Sequence, residues 1–201
     1  MHKDGERILM GNEAIGRGLL ENGCGLVASY PGTPASEILA SAVDFAGETK
    51  TPIHLEWSVN EKVAFEVALA YSYTGKRSAV AMKQVGLNVA SDPVTRAAYL
   101  GTKGGLVLIV ADDPGPHSSQ TEQDSRLFAL FAKIPVFDPS SPKEAGEMVR
   151  EAFALSERYE MPVMLRPTTR VCHARQNVTC AAPEVSNKNA RFEKNVSRWV
   201  A

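Results

Sequence analysis

Two carboxylates and a histidine stand where acid–base chemistry could be staged. Glu56 and Glu61 bracket the run Glu56-Trp57-Ser58-Val59-Asn60-Glu61, and His117 lies in the long polar stretch from Asp112 to Asp124. An imidazole with an ordinary pKa of ~6.5 titrates near neutrality. Connections as long as 112–124 are uncommon between packed elements and tend to carry function. Each reading has a structural competitor. Ser58-Val59-Asn60-Glu61 has the capping-box spacing, in which Glu61 would return to the Ser58 backbone N–H. Likewise, Pro114 and Pro116 would fix the path of a solvated loop. Two more segments sit where strands should end, Tyr30-Pro31-Gly32-Thr33-Pro34 and Lys83-Gln84-Val85-Gly86-Leu87-Asn88.

Other motif matches fail on context. Gly23-Cys24-Gly25-Leu26-Val27-Ala28 fits G-x-G-x-x-A but precedes a strand, where the dinucleotide fingerprint must follow one. Gly11 and Gly16 have P-loop spacing, yet Arg17-Gly18 follows where Lys-Ser/Thr is required. The four histidines show no metal-ligand spacing, so no metal site is expected. Cys24, Cys172 and Cys180 form no C-x-x-C pair, which disfavours structural zinc, a cysteine-held cluster or a disulfide framework.

The elements that must position these residues alternate along the chain. Strands are predicted at Leu26–Tyr30, Ile53–Trp57, Ser78–Lys83, Leu106–Asp112, Val136–Asp138 and Val163–Arg166. Between them, apolar residues recur at helical spacing, as in Val63, Val67 and Tyr71, or Met148, Val149, Ala152 and Phe153. Ser141-Pro142-Lys143-Glu144 predicts a capped helix start, and Thr33-Pro34 a helix running to about Ala46. Leu106-Val107-Leu108-Ile109-Val110 is apolar on both faces, as a covered parallel strand requires. Together these predict an α/β fold, a doubly wound and mainly parallel six-stranded sheet with helices on both faces. Ligands of such sheets bind at the carboxyl ends of the strands, where all four singled-out segments lie. Residues 1–173 are expected to form this domain, and 174–201 a polar linker or arm with isolated Phe192, Trp199 and Val200, leading to a further domain.

Composition narrows the class. The chain has 201 residues, 44% hydrophobic, with 22 basic against 23 acidic side chains. That length buries a sizeable core, and the near-neutral balance gives no footprint for nucleic acid or a membrane surface. No apolar run nears the ~20 residues of a bilayer span, and the N-terminus lacks a signal-peptide core. The chain reads as soluble, reduced and cytoplasmic.

Taken together, several segments resemble a known family. Gly11-Asn12-Glu13-Ala14-Ile15-Gly16-Arg17-Gly18, Tyr30-Pro31-Gly32-Thr33-Pro34, Asn60-Glu61-Lys62-Val63-Ala64, Met82-Lys83-Gln84-Val85-Gly86-Leu87-Asn88, Ala111-Asp112-Asp113-Pro114-Gly115 and Arg166-Pro167-Thr168-Thr169-Arg170 occur in order over residues 8–173. They resemble the N-terminal pyrimidine-binding domain of 2-oxoacid:ferredoxin oxidoreductases, indolepyruvate-type alpha subunits above all. The resemblance implies thiamine diphosphate held between this domain and a diphosphate-binding domain that supplies the Mg2+ ligands. It implies that Glu61 hydrogen-bonds N1′ of the aminopyrimidine, favouring the 4′-imino tautomer that takes the thiazolium C2 proton. Thr33 would lie beside the substrate carboxylate with Gly32, while Tyr30, Pro31, Gln84 and Gly86 would line the cofactor.

Departures from the pattern matter too. Pyruvate-acting relatives use an arginine near the end of the fourth strand, where this chain reads Asp112-Asp113-Pro114. Lys83, His117 or Arg126 then remain as carboxylate partners. The chain has neither the Gly-Asp-Gly motif that holds Mg2+ and diphosphate nor ferredoxin-type cysteines. Iron–sulfur clusters are therefore expected only in a missing part or partner. The implied reaction is oxidative decarboxylation of an arylpyruvate to an acyl-CoA with ferredoxin reduction, by a dimeric assembly with a second oxidoreductase subunit, in which this chain alone is inactive. Two alternatives stay open: a subunit of a non-oxidative 2-oxoacid decarboxylase acting on sulfopyruvate or phosphonopyruvate, and a non-catalytic assembly domain.

Overall fold

The structure is a computed structural model and describes residues 5–186 and 189–197; Lys188, Trp199 and Val200 of the expected arm lie outside the described residues. In chain order the elements are β1 (Gly5–Met10), α1 (Gly11–Glu21), β2 (Leu26–Ser29), α2 (Ser36–Thr49), β3 (His54–Trp57), α3 (Glu61–Ser72), β4 (Ser78–Lys83), α4 (Gln84–Val89), α5 (Ser91–Leu100), β5 (Leu106–Ala111), α6 (Ser125–Ala132), β6 (Val136–Phe137), α7 (Pro142–Tyr159), β7 (Val163–Leu165), α8 (Thr169–His173) and β8 (Arg175–Cys180).

All six predicted strands form, each within a residue or so of its predicted bounds, and they pair in the order β3-β2-β4-β5-β7-β6. Every pairing in this sheet is parallel. Alternation along the strands builds two apolar layers. Val107 and Ile109 of β5 pack on one face with Ile15, Ile38, Val149 and Phe153. Leu106, Leu108 and Val110 pack on the other with Phe65, Leu87 and Val94. Burying a side chain of this size stabilises the fold by roughly 1.5–3 kcal/mol, so the strand ends stand on a rigid base. Register ends β2 and β3 together, with Ser29 opposite Trp57, while β4 runs two residues past Ala81, the partner of Ser29, to finish at Lys83 level with Ala111 of β5. No helix among the described residues is long and apolar enough to cross a membrane.

Two helix starts differ from expectation. The Gly32 N–H donates to Ser36 Oγ at 2.8 Å and the Ala35 N–H to the Gly32 carbonyl at 2.8 Å. The Thr33-Pro34 segment is thus closed as a separate turn, and α2 begins only at Ser36. At α7, Ser141 caps the helix by accepting from the Glu144 N–H at 3.3 Å. The Glu144 carboxylate, however, takes the Ser140 N–H at 2.7 Å rather than that of Ser141, shifting half of the box by one residue.

The expected boundary at residue 173 does not mark the end of ordered structure. β8 pairs antiparallel with β1 over six residues, from Gly5 opposite Cys180 to Met10 opposite Arg175. This ribbon buries Leu9, Val178 and Cys180 against Leu20, Ala42 and Phe45 of α1 and α2. The chain stays attached beyond it, through the Arg17 guanidinium on the Ala181 carbonyl and the Glu184 N–H on the Leu20 carbonyl. Residues 175–180 of the expected arm are thus a strand, hard to read in the sequence because β8 turns only two apolar side chains inward and its partner lies at the other end of the sequence.

Candidate active site

Strand order dictates where a ligand crevice opens. From β2 the chain moves outward to β3, whereas from β4 it moves the opposite way to β5, so the switch point lies between the carboxyl ends of β2 and β4. The turn 30–34 leaves β2 there, the turn 83–86 leaves β4, and the segment 58–61 arrives from β3 alongside.

Glu61 is freed by a different cap from the one predicted. Asn60 is the N-cap of α3, its side chain accepting from the Val63 N–H at 2.9 Å. The Ser58 N–H is spent on the Ser29 carbonyl at 2.8 Å, so Glu61 makes no capping box. Its side chain is 7% exposed and has no hydrogen-bond or ion-pair partner among the described residues. It lies instead against Gly86, where an added Cβ would fall 2.5 Å from Oε1. Glu56, the other carboxylate, is already engaged: His54 Nε2 is 2.7 Å from it and the Ser58 hydroxyl donates at 3.0 Å. The His54 hydrogen bond, followed by that of Ser58 and opposed by burial, holds the Glu56 carboxyl below the usual range.

Next to Gly86, Gln84 is fully buried, with Oε1 lacking a partner and Nε2 donating to the Thr121 carbonyl at 2.9 Å. Thr121 belongs to the long loop, which folds back over the β4–α4 turn. Lys83 Nζ donates to Gln120 Oε1 at 3.0 Å, and Asn88 Nδ2 to Gln123 Oε1 at 2.9 Å. Two aspartates pin the base of this loop. Asp113 accepts from the backbone N–H groups of Ser118 at 2.6 Å and Ser119 at 2.9 Å, and from the Thr169 hydroxyl at 2.8 Å. Burial raises its pKa, but these hydrogen bonds outweigh burial and leave the carboxyl below the usual range. Asp112, fully buried, accepts from the Ser125 N–H at 2.8 Å and from Arg166 Nε at 2.7 Å.

Most of the expected site residues therefore meet. Gly32, Lys83, Gln84, Gly86 and Glu61 surround the switch point, and Tyr30, Pro31 and Thr33 are exposed on the β2 turn beside it. His117 is exposed on the loop, with its ring over Gly115. Arg126 is withdrawn: it holds both oxygens of Asp124, at 2.8 and 2.7 Å, and Asp138 at 3.0 Å. Sequence reasoning missed the loop anchors Asp112, Asp113 and Arg166. Adjacent aspartates at a strand end, with an arginine ending another strand, were the available signal. A concavity of about 730 Å³ between α1, α7 and residues 178–184 lies at the other side of the molecule and collects mixed surface charges. The strand ends define the site better than that hollow, because they hold the buried, unpartnered Gln84 Oε1 and the unpaired carboxylate of Glu61.

Fold and site together define a doubly wound α/β domain of the kind that takes its ligand at a topological switch point. Residues 17–199 match the family described as pyruvate flavodoxin/ferredoxin oxidoreductase, thiamine diphosphate-binding, and the chain belongs to that family. Its relatives include the indolepyruvate oxidoreductase subunit IorA of Pyrococcus abyssi, 49% identical over 98% of this chain and 31% of that protein. IorA of Archaeoglobus fulgidus is 49% identical over 85% of this chain and 28% of that protein. The 2-oxoglutarate synthase subunit KorA of Methanothermobacter marburgensis is 28% identical over 87% and 48%. The chain thus spans about a third of the length of the IorA relatives it matches. The same fold occurs in the 2-oxoglutarate:ferredoxin oxidoreductase of Magnetococcus marinus, solved with 2-oxoglutarate, coenzyme A and succinyl-CoA bound; it matches 90% of this chain and 32% of its own at a TM-score of 0.76 and 22% identity.

Proposed function

We propose that this chain is the pyrimidine-binding side of the active site of an indolepyruvate-type 2-oxoacid:ferredoxin oxidoreductase, with Glu61 as the carboxylate that engages N1′ of thiamine diphosphate. The observation that carries the reading is Glu61, a residue only 7% exposed whose carboxylate has no partner among the described residues and is set on the bare face of Gly86. A buried, unpaired carboxylate is costly unless a ligand completes it. Gln84 Oε1, buried and unpartnered two residues before Gly86, offers an acceptor for a ligand N–H. These groups fit a flat heterocycle that carries a ring nitrogen and an amino group.

Thiamine diphosphate, when bound, supplies the nucleophilic carbon and the electron sink for decarboxylation of a 2-oxo acid. The chain's own residues do the rest on this side. Glu61 holds a proton at N1′, Gln84 orients the ring, and Gly86, by lacking a side chain, leaves room for the Glu61 carboxylate. The loop 113–124, pinned by Asp113 and laid over Gln84, screens the site from water. The six-stranded sheet with the β1–β8 ribbon forms the pyrimidine-binding domain. A diphosphate-binding domain with Mg2+ ligands, a second subunit, CoA and ferredoxin complete the reaction. Trp57, Val59 and Val89, which are 47%, 79% and 51% exposed in the segments around Glu61, support a covering partner on this side.

The test uses the assembled enzyme. Glu61→Gln should abolish ferredoxin reduction and acyl-CoA formation from indolepyruvate while the circular dichroism spectrum is kept. Retained turnover would remove Glu61 from the role. Aldehyde release without ferredoxin reduction in the unaltered enzyme would favour a simple decarboxylase instead.

A further inference from the structure

Lys83 is the cation at the switch point that no carboxylate neutralises. Its stem lies along the turn after β2: a Cβ on Gly32 would meet Cδ, Cγ and Cε of Lys83 at 3.0, 3.1 and 3.3 Å. Nζ donates to the neutral Gln120 Oε1 at 3.0 Å, with no acidic side chain within ion-pair distance among the described residues. The neighbouring cations are all spoken for or elsewhere. Arg166 is held by Asp112 and Asp138, and Arg126 by Asp124 and Asp138. Lys62 pairs with Asp92. Arg170 is exposed beyond β7, two strands and so about 10 Å from β4.

We propose that Lys83 Nζ anchors the carboxylate of the 2-oxo acid, with Gly32 seating the stem and Gln120 of the loop aiming the ammonium. This rests on the reading of the site given above and adds the anion partner to it. Lys83 is half-buried along its stem while its ammonium reaches solvent with one neutral acceptor, so it keeps donors for an incoming anion, and a charged hydrogen bond there is stronger than the amide contact it joins. The loop couples the two events. Gln120 holds Lys83 while Thr121, the next residue, holds Gln84, so one segment positions both the substrate cation and the cofactor-side acceptor.

The assay is steady-state kinetics of the assembled enzyme with indolepyruvate and CoA, with the methyl ester, which has no carboxylate to release as CO2, used as an inhibitor, together with calorimetric binding of thiamine diphosphate. Lys83→Gln should raise the KM for indolepyruvate by about 10- to 100-fold, the size of one charged hydrogen bond. The inhibition constant of the ester, the KM of CoA and the affinity for thiamine diphosphate should stay within about twofold, and Lys83→Arg should recover most of the loss. Gly32→Ala keeps the charge but displaces the stem, and should raise the same KM severalfold. An unchanged KM for the acid in both Lys83→Gln and Gly32→Ala overturns the proposal. So does a rise confined to CoA or to thiamine diphosphate, which would assign the ammonium to a phosphate. Failure of the underlying reading shows separately, as turnover that survives Glu61→Gln while the Lys83 arm is still read in KM.

Discussion

The side chain of Glu61 rests on the hydrogen face of Gly86: a Cβ at Gly86 would fall 2.5 Å from Oε1, 2.6 Å from Cγ and 2.9 Å from Cδ of Glu61. Two segments far apart in sequence are thereby interlocked, the start of α3 and the interior of α4. Gly86 is helical and carries no positive φ, so its value lies in the missing side chain rather than in backbone freedom.

Gly86→Ala should therefore separate folding from activity. Alanine suits a helix interior better than glycine by about 1 kcal/mol, so the fold should hold. The methyl must push the Glu61 carboxylate aside. Turnover of the assembled enzyme should fall toward that of Glu61→Gln, a loss on the order of 10²- to 10⁴-fold for a displaced acid–base group. Steady-state kinetics beside a circular dichroism spectrum read both halves, and wild-type turnover would mean that Glu61 works from another position.

The cap of α3 gives a second prediction. Asn60 accepts the Val63 N–H, whereas Ser58 sends its hydroxyl to Glu56 at 3.0 Å. Asn60→Ala should cost about 1 kcal/mol in denaturant melts, the usual value of an N-cap. Ser58→Ala should leave the helix intact. The opposite ranking would restore the capping box and tie Glu61 to a structural role.

How much of this was legible depended on the range of the signal. The parallel strands were readable because β5 is apolar on both faces over a continuous run, from Leu106 to Val110. The ribbon of β1 and β8 was not, since Arg175, Gln176, Asn177 and Thr179 face outward and only pairing across the whole chain defines the strand. At the site, Tyr30–Pro34 and Lys83–Gly86 were legible as strand-end turns. The choice of cap was not: both Ser58 and Asn60 are good caps, and the Ser29 carbonyl, fixed by the sheet, decides which one is left. Nor could spacing alone show that Arg126 is consumed by two aspartates while Lys83 is left with an amide.

The buried pair at the strand ends yields a third prediction. Arg166 is 4% exposed and Asp112 fully buried, and they meet at 2.7 Å with Ser125 and Asp138 completing the network. Removing one partner strands a buried charge, so Arg166→Met should destabilise the chain by about 3–5 kcal/mol in urea titrations. The Asp112→Asn, Arg166→Met double variant should lose less than the sum of the two single changes, because the second substitution removes the stranded charge. Strict additivity would show that the two side chains act independently.

Acid should loosen the loop before it unfolds the sheet. Asp124 is pulled down to about 2, chiefly by the side-chain hydrogen bond from Arg126, with its burial opposing and the Arg126 N–H and the Arg166 charge assisting. Asp113 is also lowered. A carboxyl whose folded pKa lies below its unfolded value of about 3.9 contributes stability above that value and loses it as pH falls through the folded pKa. Thermal melts should therefore be level in this respect from pH 7 to about 5 and decline from about pH 4 toward 2. The Asp124 side chain is 38% exposed and that of Arg126 52%, so salt screens their share. Asp113 is held mainly by backbone N–H groups, and its share should persist in high salt. Asp113→Asn keeps the shape but removes the charge that Ser118, Ser119 and Thr169 converge on, and should flatten the salt-resistant part of the decline. A decline unchanged in that variant would place the acid sensitivity elsewhere, with Glu56 and Glu144, whose pKa values are also lowered, as the remaining carboxylates.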